Sequence, residues 1–108
     1  MVICLAVAED GCIDPRWGRA HRVAIATVEA GTITRWEEFD VSWDTLHDTG
    51  PEGAHHARVA RFLREHQAET VLAHHMGGDM ARMLQKMGVT VRLGIVGNAR
   101  QTVTSAAV

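Results

Sequence analysis

The sequence predicts an α/β fold: a five-stranded mixed sheet with three helices, in the order β-β-β-α-β-α-β-α. Three observations predict it. Residues 70–93 read as strand, Gly-rich turn, helix, turn and strand. A unit of that length joins two parallel strands by a right-handed crossover. Residues 2–8, V-I-C-L-A-V-A, are continuously apolar, as in a strand covered on both faces and central in its sheet. Residues 21–28 and 32–41 are two β-type runs around the hairpin loop Glu29, Ala30 and Gly31.

Taken in order, residues 2–8 form the first strand, and Glu9 to Gly11 break it. Residues 12–21 are a polar connection containing Gly and Arg. In the second strand Val23, Ile25 and Thr27 alternate with Ala24, Ala26 and Val28. The third strand alternates imperfectly. Ile33, Phe39 and Val41 share one face and Trp36 falls on the other, which a bulge or a partly covered outer face would explain. Residues 42–53, rich in Asp, Thr, Gly and Pro, are expected to be the longest irregular segment, and mobile. A helix over 53–67 buries Val59, Phe62, Leu63 and His66 and turns Arg58, Arg61 and Glu65 to water.

Residues 70–73 are the fourth strand, and Gly77 and Gly78 end the apolar run. Asp79 is expected to cap a helix whose Met80, Met83, Leu84 and Met87 share one face. Gly88 stands where a left-handed C-terminal cap is wanted, and residues 89–93 are the fifth strand. Residues 97–108 form a weaker last helix, packing through Ala99, Val103 and Ala106.

The chain of 108 residues is expected to be a single domain, long enough to bury a core without staples. A formal net charge of -2 offers no basic field for nucleic acid. No apolar run approaches the ~18 residues of a membrane span. The chain enters directly into a strand with no leader-like segment, so a cytoplasmic protein is expected. Cys4 and Cys12 do not suggest a disulfide framework; Cys4 reads as a small core residue.

The predicted topology gathers the polar residues at one rim. If the first and fourth strands are parallel, their C-terminal edges coincide, and the helix entering the fourth strand begins there. The loop 9–19, His55 and His56, the turn His74, His75 and Met76, and residues 94–98 then meet. In open α/β sheets that edge is where ligands bind. Candidate residues are Cys12, Arg16, Trp17, Arg19, His21, His55, His56, His74, His75 and Met76. His, Cys and Met suit borderline and soft metals, and helix N-termini with arginines favour an anion. Together they would suit a metal cofactor carrying negative charge. Plainer readings stand beside this one. His74 and His75 are either ligands or polar turn residues. His55 and His56 fit a solvated first helical turn, and Trp17 is either a loop anchor or a pocket wall. Met80, Met83 and Met87 are core by spacing, whereas Met76 lies in the turn.

Several segments resemble the dinitrogenase iron-molybdenum cofactor biosynthesis family, the NifX- and NafY-like carriers also found as a C-terminal domain of NifB proteins. I-D-P-R-W-G-R-A at residues 13–20 is similar to the family's V-x-x-H-F-G-R-A. V-E-A-G at 28–31 resembles its hairpin V-E-D-G, and residues 71–88 resemble its strand, Gly-turn and helix. The resemblance covers nearly the whole chain and implies a ribonuclease H-like topology. It further implies non-catalytic binding and carriage of an iron-sulfur or iron-molybdenum type cofactor or its precursor, with a metallocluster donor or acceptor protein as partner. Arg16 stands where the family has its histidine, and a guanidinium cannot ligate iron. On this reading Arg16 and Arg19 hold the cargo's charge beside Trp17 and Met76, and His74 and His75, with Cys12 and His55, are the candidate metal ligands. The alternative is a metal-free regulatory or protein-interaction module whose contact surface is the 42–53 loop with Trp36 and Trp43. A metal-dependent hydrolase ranks below both. It needs several carboxylates close together, whereas Asp10 lies past a strand end and Glu37, Glu38 and Asp40 lie on an expected edge strand.

Overall fold

The computed structural model describes residues 1–51 and 53–106. Its centre is a five-stranded sheet in the order β3-β2-β1-β4-β5. β1 (Val2–Ala6) lies between β2 (Arg22–Glu29), to which it is antiparallel, and β4 (Thr70–Leu72), to which it is parallel. β3 (Thr32–Asp40) pairs antiparallel with β2 at one edge, and β5 (Thr90–Arg92) pairs parallel with β4 at the other.

The unbroken apolar run of β1 reflects helices on both sides of the sheet. Cys4 and Ala6 face a core shared with Val59 and Leu63 of α2 (Ala54–Glu65) and Met80 and Leu84 of α3 (Gly78–Lys86). Ile3 and Leu5 face the opposite core, closed by Ala99 and Val103 of α4 (Ala99–Ala106). Cys4 is fully buried, and burial pushes its thiol pKa up, so it is an inert core residue. Both cysteines are free.

Several expectations need correction. The register between β2 and β3 shifts beside Thr27 and Val28, where β3 passes from Arg35 to Ile33. The extra residue puts Ile33 with Trp36 on the α4 face, while Phe39 and Val41 stay on the α2 face. The start of α3 is capped by no side chain: Gly77 is the cap residue, and Asp79, inside the first turn, pairs with Arg82. Arg58 does not simply face water. Its Nη1 donates to the Leu46 carbonyl at 3.0 Å. The last helix starts at Ala99, later than expected, and Ala107 and Val108 lie outside the described residues. Gly88, at φ 83°, ends α3 in the left-handed conformation expected of it. None of the described helices is long and apolar enough to cross a membrane.

The largest correction concerns residues 42–53. A short helix, α1 (Trp43–Leu46), interrupts the segment, and Trp43 is only 1% exposed. Its indole meets Trp17 edge to face at 5.3 Å and Phe62 of α2 at 5.8 Å. Phe62 in turn meets Phe39 of β3 at 5.6 Å. Such contacts add about 0.5–1.5 kcal/mol each beyond area burial. Trp43 is thus a core residue and no part of an exposed contact surface. Trp36 is half-buried under the Arg100 guanidinium, 4.5 Å from its ring centroid. Trp43→Ala is expected to cost ~3–5 kcal/mol, the range for deleting a buried aromatic side chain. Trp36→Ala should cost about 1 kcal/mol, the scale of one cation–π contact. Urea unfolding midpoints of the two variants check the difference.

Candidate functional site

The parallel strands β1, β4 and β5 end at one edge of the sheet, and the chain leaving β1 folds back over it. The Asp14 N–H donates to the Ala6 carbonyl at 3.0 Å, and the Ile13 N–H to the Gly97 carbonyl at 2.9 Å. Arg16 then forms a parallel β-bridge with His75, just past β4. A 3-10 turn, Trp17–Arg19, follows. Its Gly18 carbonyl accepts a 2.7 Å hydrogen bond from His55 Nε2, in the first turn of α2. The loop after β1, the start of α2 and the turn after β4 therefore meet at this rim.

On the α2 side of the rim lies a cleft of ≈ 440 Å³. The 3-10 turn contributes Trp17, Gly18 and Arg19, and the start of α3 contributes Met76 to Met80. His47, His55 and His56 close it from α2 and the segment before it. Of the residues singled out in the sequence, Trp17, Arg19, His55, His56 and Met76 line this cleft; Cys12, Arg16, His21, His74 and His75 do not. His74 and His75 are exposed beyond the end of β4. Cys12 is half-buried on a bridge to Asn98, beside the start of α4. Arg16 is turned onto the buried Asp14, its Nε and Nη2 each 3.3 Å from a carboxylate oxygen. Arg19 is exposed and makes no ion pair among the described residues. Trp17 is 1% exposed, so it anchors the loop while bordering the cleft. Its Nε1 is buried with no hydrogen-bond partner among the described residues. A buried donor left unmatched costs ~1–3 kcal/mol unless something supplies an acceptor.

The cleft's glycines were the part that sequence reasoning missed. Of ten glycines, seven adopt positive φ, where a side chain would strain the backbone. Gly18, Gly77 and Gly78 do not, and all three line this cleft. Gly77 sits at φ -61° and ψ 148°, a conformation open to any residue. Among the described residues nothing lies within 4 Å of where a Cβ would stand on Gly18 or Gly77, and on Gly78 only the tip of the Arg82 side chain does. The fold does not require glycine at these positions. Their effect is to leave main chain bare along the cleft wall, beside a helix start whose N–H groups carry no side-chain cap. A W-G pair and a G-G pair are visible in the sequence, but only backbone angles tell a required glycine from a spared one.

The histidines differ in state. His55 Nε2 faces a carbonyl, which only accepts, so Nε2 carries the proton and Nδ1 accepts from Arg58 Nη1 at 2.9 Å. Both ring nitrogens are thereby engaged. Burial lowers the His55 pKa, the bond to Gly18 opposes that shift, and the positive charge of Arg58 adds to it. His47 Nδ1 lies 3.0 Å from Asp48. His56 lines the cleft half-exposed, with no ring hydrogen bond among the described residues. No three His, Cys, Asp or Glu side chains among the described residues converge as a metal site.

Sheet order and rim cleft together define a small α/β protein with its candidate site at the C-terminal edge of parallel strands. More particularly, the chain belongs to the dinitrogenase iron-molybdenum cofactor family, whose profile matches residues 1–107. Among solved structures it is similar to the apo form of the orange protein from Desulfovibrio gigas, at 26% identity and a TM-score of 0.75, covering 98% of this chain and 86% of that one. It also shares its fold with the protein designated PH0822, at 18% identity and a TM-score of 0.77, over 99% of this chain and 89% of that one. No curated protein matches it.

The His55 bond set predicts a pH effect. A folded-state pKa below the ordinary 6.5 means that the unfolded chain binds more protons in that window. The stabilisation is therefore full above pH 6.5 and is lost as pH falls below that value towards the folded pKa. Urea midpoints measured from about pH 7.5 down to about pH 5 should fall for the native chain. His55→Gln should show a shallower slope over the same window.

Proposed function

We propose that this chain binds an iron-sulfur or iron-molybdenum type cofactor, or its precursor, at the rim cleft and hands it on without catalysis. Family membership supports the cargo class, because the family is named for the iron-molybdenum cofactor of dinitrogenase. The apo designation of the orange protein supports a ligand-binding role for a structure of this fold. The observation that carries the reading is the cleft wall. Its three glycines are spared by the fold, and two of the segments that resemble the family, around Trp17 and Gly77, supply them. Close backbone approach to a bulky group explains glycine where no turn demands it.

The cleft fits such a cargo in charge. Arg19 is uncommitted among the described residues, and the first turn of α3 presents uncapped N–H groups at the positive end of a helix dipole. The one carboxylate in that turn, Asp79, is paired with Arg82. The fit in ligands is sparse, which suits a carrier: few bonds from protein to metal leave the cargo free to move on. A donor or acceptor protein would meet this rim, where the exposed His74 and His75 lie beside the cleft.

The metal-free alternative loses one of its two named contacts, since Trp43 is core. It remains the expected finding should the carriage test fail. That test is iron, molybdenum and acid-labile sulfide content of tag-free protein prepared without oxygen, before and after incubation with a cluster donor. Stoichiometric iron and sulfide are expected after incubation, and their absence in both states would sink the proposal. Gly77→Val should weaken loading at least about tenfold, or roughly 1.4 kcal/mol. Its stability should fall by less than about 1 kcal/mol, the scale of a change at a helix cap.

A further inference from the structure

We propose that two copies of this chain join edge to edge along β3, about a twofold axis at Trp36, into one continuous sheet. The pairing does not depend on the carriage reading.

The two edges of the sheet are built differently. β5 is 3 residues long, and an edge strand cut that short offers a neighbour little to pair with. β3 runs for 9 residues, with neither proline nor lysine in it. Its inner side is committed to β2. The Val41 N–H donates to the His21 carbonyl at 3.0 Å. Bonded pairs alternate along an antiparallel ladder, so Phe39, Glu37 and Arg35 also turn their backbone groups to β2. The Arg22 carbonyl, opposite Asp40, is taken by the Val7 N–H just past β1. Trp36, Glu38 and Asp40 therefore point their N–H and C=O groups outward along the open edge.

Charge selects a second copy as the occupant and sets the register. Identical strands paired antiparallel are related by a twofold axis normal to the sheet, so residues of the two copies meet in reciprocal pairs. With the axis at Trp36, Arg35 of each copy stands across from Glu37 of the other. With the axis at Arg35, Glu37 or Glu38, two like charges meet on it. Unlike charges directly opposite stabilise a ladder and like charges destabilise it. Trp36 is also one of the outward-pointing residues, so at that register each Trp36 N–H meets the other copy's Trp36 carbonyl. Arg35 and Glu37 already pair within one copy. Two copies join them into a ring of alternating charges. The other carboxylates of the edge are matched in place. Glu38 accepts from Trp36 Nε1 at 2.9 Å and lies 3.7 Å from Arg22, which also pairs with Asp40 at 2.9 Å. Across the axis Glu38 faces Thr34, which carries no charge. The triplet R-W-E at 35–37 is thus complementary to itself read backwards, and a second copy supplies that match with no further partner.

Beside Thr34 the bulge breaks the alternation, which confines the new ladder to residues 34–38 of each copy. A contact that small gives a dimer that forms and parts with concentration. β3 runs in the direction of β1, so the paired copies point their rims in opposite directions and both clefts stay open.

Sedimentation equilibrium of the full chain, over a dilution series up to about 1 mM, reads the mass. The expected result is a mass rising from one copy to two, with amide exchange slowed at Trp36 as the dimer fills. Glu37→Arg sets arginine against arginine and should weaken association at least about tenfold, as should Arg35→Glu. Both side chains are exposed, at 42% and 69%, so circular dichroism and the urea midpoint should stay near those of the native chain. An equal mixture of the two variants restores both opposite-charge pairs and should associate within about threefold of the native chain. A single-copy mass at every concentration would overturn the proposal. So would a dimer that Glu37→Arg leaves unchanged, which places the contact elsewhere. An edge that takes up only a strand of another protein, while the chain itself stays single, overturns it as well.

Discussion

The rim of this protein depends on an edge-to-face aromatic column that runs Trp17, Trp43, Phe62, Phe39. Its members come from the 3-10 turn after β1, from α1, from α2 and from the edge strand β3. No backbone ladder joins these four elements to one another directly, so side-chain packing sets their relative placement. Aromatic rings suit that task because each buries a large area and their quadrupoles favour crossed contacts over sliding ones. Trp17 and Trp43 are the largest fully buried side chains of the described residues. With both indoles sealed, the 3-10 turn has little freedom to swing.

The histidine at the head of α2 completes the wall from the polar side. His55 ties the carbonyl of Gly18 to α2 and takes a bond from Arg58, whose guanidinium also holds the Leu46 carbonyl. Two side chains, His55 and Arg58, thus link the turn, the end of α1 and the start of α2. The ring also stands edge-on to Trp43 at 6.1 Å, so the aromatic column and the polar strut share a residue. A site built this way is held from behind. Its rigidity comes from groups whose bonding is used up, and its open face holds bare main chain, Arg19 and the half-exposed His56. Of the three histidines that line the cleft, His55 thus works as scaffold.

The architecture was legible because it rests on periodicity. The apolar run of β1, the strand-helix-strand unit and the hairpin at Gly31 each follow from local pattern, and parallel pairing of β1 with β4 places the rim. The site was legible only as a neighbourhood. The segment around Trp43 is polar and rich in turn formers, so it reads as exposed; nothing local says that one indole in it reaches the core. Alternation alone puts Ile33 on the face of Phe39, but a single inserted residue inverts the alternation beyond it. His74 and His75 drew attention by residue type, whereas the cleft wall is marked by glycines, which carry no chemistry to notice. Telling a glycine that a turn requires from one that the fold leaves optional takes φ and the space around a missing Cβ.

Arg16 shows how one residue that departs from the resemblance takes on a local task. A metal-binding histidine is expected at this position from the resemblance, and arginine cannot serve as one. Here the guanidinium lies over Asp14, whose carboxylate also accepts the Arg16 main-chain N–H at 2.9 Å. Asp14 is 7% exposed, and a buried carboxylate left unpaired would be costly. Arg16 therefore neutralises its own loop, and the backbone bridge to His75 fixes that loop to the end of β4. Its charge is spent locally, so the positive field facing the cleft falls to Arg19 and the start of α3. At this position arginine thus acts as a lock on its own loop.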